Sequence, residues 1–178
     1  MNTFLAVLLA ASNPTLAEEA EPTAEDPWDI SARHGPTHTA TIQTTEGTWM
    51  SVTIHGQTIV FDLLGDLWAL PISGGDATRL TEGVAWDSEP RFSPDGSQIA
   101  FVSDGGGNEQ LWIMNADGSD KRQLTKEDFR LMHQPTWSPD GQFIAAKKHF
   151  TTGRSLGTGE IWLYHVSGGS GVALGERP

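Results

Sequence analysis

Arg91-Phe92-Ser93-Pro94-Asp95-Gly96 recurs as Thr136-Trp137-Ser138-Pro139-Asp140-Gly141, an offset of 138 − 93 = 45 residues. The surroundings recur with it. Gln110-Leu111-Trp112-Ile113-Met114 matches Asp66-Leu67-Trp68-Ala69-Leu70 upstream and Glu160-Ile161-Trp162-Leu163-Tyr164 downstream, and Arg79-Leu80-Thr81 matches Gln123-Leu124-Thr125. Short β-branched and aromatic runs between Pro/Gly turns read as strands. A period near 45 with four such runs is the pattern of propeller blades.

The second unit is the best formed. Glu89–Ser93, Gln98–Val102, Gln110–Asn115 and Lys121–Thr125 read as its strands, with turns at Pro94-Asp95-Gly96 and Ala116-Asp117-Gly118-Ser119. Proline fixes φ, and glycine accepts the left-handed position after it. The third unit repeats this over Pro135–Ser138, Gln142–Lys147, Glu160–Val166 and Gly171–Leu174, with a longer second loop. The first is shorter: Ile54-His55-Gly56 replaces the Ser-Pro-Asp-Gly turn, and Leu63-Leu64-Gly65-Asp66 leaves almost no second loop. The expected fold is therefore all-β, a partial β-propeller of about three four-stranded antiparallel blades in an open arc, at about 47–81, 89–125 and 135–176. Closed propellers have about 4–8 blades, so the chain reads as part of a larger protein. Thr45-Glu46-Gly47 repeats Thr81-Glu82-Gly83, so Thr39–Gln43 reads as a fourth strand that completes a blade of the ring.

Residues 1–17 hold a short apolar run, Phe4–Ala11, and a small-residue sequence, Thr15-Leu16-Ala17. They read as a cleaved export signal without the usual basic start, or else as a shortened N-terminus. Export would place the protein in the periplasm or outside the cell. Residues 18–38 read as an acidic linker broken by Pro22 and Pro27, and the propeller region as 39–178. The net charge of −12 argues against nucleic acid as partner. No segment is expected to span a membrane after signal cleavage. Cysteine is absent, which excludes thiol chemistry.

The Ser-Pro-Asp-Gly turn, the Leu-Trp-Ile-Met strand and the Asn-Ala-Asp-Gly-Ser turn resemble the TolB-like, WD40-like (PD40) propeller repeat over about 47–178. A narrower likeness lies in Phe61–Gly75, Lys126–Leu131 and Gly159–Val166, which look like the propeller at the N-terminus of exported amidohydrolase-family proteins. That resemblance implies a missing C-terminal partner, the remaining blades and a hydrolase barrel with a divalent metal such as zinc. No cofactor is expected in this chain, and the barrel's His-x-His motif does not occur in it. The expected role is a non-catalytic scaffold or access gate. The alternatives are a TolB-type periplasmic protein-binding propeller and the propeller lid of a serine peptidase.

No catalytic residue and no metal site is assigned. His34 and His38 have i, i+4 spacing, but Gly35-Pro36 between them breaks a helix. His55 reads as a turn residue and His165 as a strand residue. Asn115–Asp120 lacks the acidic twelfth position of a calcium loop, and Gly-x-Ser-x-Gly is absent. Ser93 and Ser138 recur because the turn recurs. In an antiparallel blade, the loops from strand two to three and from strand four to the next blade share one face. The longest of them, Glu82–Glu89, Lys126–Gln134 and Lys148–Gly159, carry Trp86, Asp87, Asp128, Phe129, Arg130, Met132, His133, His149, Phe150 and Arg154. These ten are the candidate partner-facing residues; the competing reading is that the loops pack only on one another.

Overall fold

A computed structural model describes residues 35–36, 43–128, 130–150 and 159–175. The described residues form twelve strands. The first sheet holds β1 (Val52–His55), β2 (Thr58–Leu63), β3 (Asp66–Pro71) and β4 (Thr78–Arg79). The second holds β5 (Asp87–Phe92), β6 (Gln98–Ser103), β7 (Gln110–Asn115) and β8 (Arg122–Gln123). The third holds β9 (Arg130–Trp137), β10 (Phe143–Phe150), β11 (Gly159–His165) and β12 (Val172–Leu174). Each sheet is antiparallel in chain order, and the three form a partial, open propeller. The export signal, the linker apart from Gly35 and Pro36, and Thr39 to Ile42 of the expected N-terminal strand lie outside the described residues. Gln43 is in no strand.

Side chains alternate across each strand, so a central blade must be apolar on both faces. β6 and β7 meet this demand. Ile99, Phe101 and Met114 pack toward the first blade with Val60 and Leu67. Ala100, Val102, Leu111 and Ile113 pack toward the third with Met132, Ile144, Ala146 and Tyr164. Trp112 and Trp162 occupy one repeat position, and each packs toward the preceding blade.

The Ser-Pro-Asp-Gly turn is a hydrogen-bonded unit. The Ser93 hydroxyl donates to Asp95 Oδ1 at 2.6 Å and accepts from the Gln98 amide at 3.0 Å. Ser138 repeats both bonds with Asp140 and Phe143. Gly96 and Gly141 sit at φ 73° and 69°, where a side chain is strained. The Ser93 hydroxyl, then the Ser97 amide and hydroxyl, hold the Asp95 carboxyl at about 2. Ser93→Ala is expected to lower unfolding stability by about 1 kcal/mol, read as a shift of the urea midpoint at constant slope.

The fourth strands are shorter than the sequence suggests. Lys121–Thr125 was expected, but only Arg122–Gln123 pairs as strand. Leu124 and Thr125 both turn their amides onto the Leu111 carbonyl, at 2.7 and 3.3 Å, while Thr125 Oγ1 accepts from the Leu111 amide at 3.0 Å. Leu80 and Thr81 repeat this arrangement on Leu67.

The inner strands are longer than expected. The expected strands open at Glu89 and Pro135, yet pairing resumes before them, at Asp87↔Ser103 and Leu131↔His149. Both strands shift register there. Glu89 and Gln134, one residue before each proline, sit at φ 54° and 55°, and Trp49 at the same place in the first blade sits at 60°. Such residues interrupt a ladder without ending it. Their amides are met by carboxylates from the preceding blade: Asp62 Oδ2 accepts from Glu89 N at 2.9 Å, and the Glu89 carboxylate accepts from Gln134 N.

Candidate partner-facing site

The loops from second to third strands meet the loops that lead into the next blade. Trp86 N donates to Asp104 Oδ1 at 2.7 Å, and the Trp86 ring lies over Gly65. Gln110 is fully buried and ties the next pair of loops together. Its Nε2 donates to the Glu127 carbonyl at 2.9 Å, and its Oε1 accepts from Thr125 Oγ1 at 2.7 Å and Glu127 N at 3.0 Å. Asp66 and Glu160 hold the same place in the other blades. Asp66 pairs with Arg79 at 2.6 Å, and Glu160 with Arg130 at 3.4 Å.

Arg130, His133 and His149 lie in strands rather than loops, because β9 and β10 extend past the Gln134-Pro135 interruption. His133 and His149 share a charged cluster with Glu89 and Glu109, while Arg130 pairs apart from it with Glu160. His133 Nε2 is 3.1 Å from Glu109 and Nδ1 is 3.7 Å from Glu89, and the His149 ring packs edge-on at 5.4 Å. Hydrogen bonds to Glu109 and Glu89 raise His133 from 6.5 to about 9. Burial, Lys147 and His133 push His149 the other way.

Two candidates are corrected. Met132 is fully buried between the second and third blades, so it is a core residue. Asp87 is buried at the start of β5, with Lys121 at 3.7 Å. Burial pushes its carboxyl up, opposed by Ser103, Lys121 and Thr81. Trp86 and Asp128 are exposed. Phe129, the Phe150 side chain and Arg154 lie outside the described residues, as do His34 and His38. Among the described residues no group of three or more His, Asp or Glu is placed to hold a metal, and no helix is long and apolar enough to cross a membrane.

Sequence reading missed the partners: Glu89, Glu109, Glu127, Lys148 and Glu160. Lys148 is buried, pairs with Glu127 at 2.5 Å and sits 3.8 Å over the Trp162 ring. Tyr164 donates to the same carboxylate at 3.3 Å, and burial and Glu127 push its hydroxyl pKa up. The repeat carried one usable signal, a polar residue at the start of every third strand. An open groove of about 730 Å³ runs between the first two blades, walled by Trp49, Leu63, Trp86, Asp62 and Glu89.

The His133 cluster predicts a pH dependence. Its folded pKa is above the unfolded value, so its stabilisation is fully present below about 6.5 and lost as pH rises through about 9. His133→Gln is expected to cost on the order of 2 kcal/mol at pH 6 and little at pH 10. Urea unfolding of both proteins across that range measures the difference.

The chain belongs to the family of the Tricorn protease N-terminal beta propeller domain, whose model matches residues 47–174. It is 35% identical over 92 residues to the peptidase YuxL of Bacillus subtilis, which covers 51% of this chain and 14% of YuxL. It is 29% identical over 91 residues to Tricorn protease homolog 1 of Streptomyces coelicolor, which covers 51% of this chain and 8% of that protein. The chain therefore spans a small part of the curated relatives it matches. Among solved structures, a protein described as TolB from Agrobacterium tumefaciens superposes with a TM-score of 0.59 at 26% identity, over 66% of this chain and 45% of that one.

Proposed function

We propose that this chain is the non-catalytic propeller portion of a serine peptidase, acting as a scaffold or gate beside a catalytic domain. The supporting observation is the family match across residues 47–174 together with two peptidase relatives. The expected amidohydrolase barrel gains no support from these relatives, and the peptidase alternative takes its place. The zinc was implied only by that barrel. A TolB-type binding role draws on the superposed structure, which carries the fold. On this reading the loop face docks the catalytic domain, with Arg130, His133 and His149 on the docking side.

A fluorophosphonate probe applied to the polypeptide that carries this segment in the cell tests the reading. The expected result is a labelled serine outside residues 1–178. Labelling of Ser93 or Ser138, or hydrolysis that needs a divalent metal and resists the probe, would contradict it.

A further inference from the structure

The two junctions between blades differ at one repeat position. Ser88 and His133 stand 133 − 88 = 45 residues apart, each one residue before the left-handed Glu89 or Gln134. At the second junction the His133 ring lies between two carboxylates, with Nε2 3.1 Å from Glu109 and Nδ1 3.7 Å from Glu89. At the first junction the small Ser88 lines the groove described above, together with Glu46, Asp62 and Glu89. Among the described residues no Lys, Arg or His lines it. Asp62 accepts the Ser51 and Glu89 amides, one on each oxygen, at 2.6 and 2.9 Å. Each of its oxygens retains a second lone pair for a further donor.

Trp86 gives the groove an aromatic wall. It is 61% exposed yet held in place. Its amide donates to Asp104 Oδ1 at 2.7 Å, and its ring lies on Gly65, where a Cβ would come within 3.1 Å of Cε3. An aromatic face attracts a cation. A guanidinium is planar, stacks on aromatic rings and forks onto carboxylates, which a compact ammonium cannot do. Trp86, Ser88, Asp62 and Glu89 all belong to the junction of the first two blades, so the groove is not an open end of the arc. It opens on the loop face, because Leu64-Gly65 joins β2 to β3 and Trp86 leads into β5.

We propose that this groove binds an arginine side chain of a peptide substrate. Its guanidinium lies against Trp86 and meets the Asp62 and Glu89 carboxylates. It supplies at the first junction the cation that His133 supplies at the second. That the ligand is a substrate rests on the peptidase reading, in which the loop face looks toward the catalytic domain. The chemistry of the groove does not rest on it.

Calorimetric titration of the polypeptide that carries this segment in the cell, treated first with the fluorophosphonate so that it cannot cleave the peptide, tests the proposal. The probe is the blocked tripeptide acetyl-Ala-Arg-Ala-amide, which has no free α-amine. Its citrulline counterpart keeps the shape and loses the charge. The arginine peptide is expected to bind with a Kd of about 1 mM or below, at least about tenfold more tightly than the citrulline peptide. Trp86→Ala removes the aromatic wall, and Ser88→Lys places a cation of the protein's own in the groove; each is expected to weaken binding about tenfold. Asp76→Asn, at an exposed acid outside the groove, should leave it unchanged. Near-UV circular dichroism identifies the variants that remain folded, and the citrulline comparison needs no variant. No saturable binding, equal affinity for the two peptides, or arginine binding that survives both groove substitutions in folded protein would each overturn the proposal. A labelled serine without arginine binding would overturn this inference alone. Arginine binding without a labelled serine would support the groove and contradict the peptidase reading alone.

Discussion

Phe101→Ala is expected to cost about 3–5 kcal/mol, the range for emptying a large aromatic from a core. Phe101 is fully buried at the junction of the first two blades, packed with Val60, Leu67 and Met114. Domains are stable by only about 5–15 kcal/mol, so one such cavity removes a large part of the total. Blades contact only their neighbours, so the loss should fall on the first blade before the third. The readout is the urea midpoint with, separately, the protease sensitivity of β1–β4. An effect under about 1 kcal/mol would mean that the blades do not share this core.

The second large effect belongs to the buried charge. Glu127→Gln is expected to cost about 3 kcal/mol, because it leaves the Lys148 ammonium buried without its counter-charge. Trp162 at 3.8 Å softens the loss, since an aromatic face attracts a cation. Adding Lys148→Met to Glu127→Gln should recover most of the stability, because an apolar chain of similar length then fills the space. A double variant no more stable than Glu127→Gln alone would show that the pair contributes little through its charge. Thermal and chemical unfolding of the two variants and the parent decides between these outcomes.

The blades were legible because their causes are local. Ser-Pro-Asp-Gly needs only residues within its own turn, and the bonds from Ser93 to Asp95 and Gln98 show why those residue types recur. Gln98–Val102 was read as a strand, and its unbroken apolar run Ile99–Val102 is what a strand buried on both faces requires. What escaped was non-local. Glu89-Pro90 and Pro135 read as strand starts because a proline cannot donate to a ladder. Nothing in one sequence says that pairing resumes beyond them, so Met132 was read as a loop residue while it belongs to the core. The charged pairs were half legible. His133 and Arg130 stood out as long-loop residues, but the partners of His133, Glu89 and Glu109, and that of Arg130, Glu160, come from other strands and loops. Lys148 gave no warning, because its burial depends on Glu127 and Trp162 reaching it together.

The central claim is that three blades stack in an open arc whose middle blade alone is covered on both faces. Native-state hydrogen exchange tests it most directly. Amide protection follows the free energy of local opening. The slowest amides are predicted to be those of Ile99–Val102 in β6 and Leu111–Met114 in β7, with β1 and β12 exchanging fastest among the strands. Equal protection across the three sheets, or greatest protection in β12, would contradict the account.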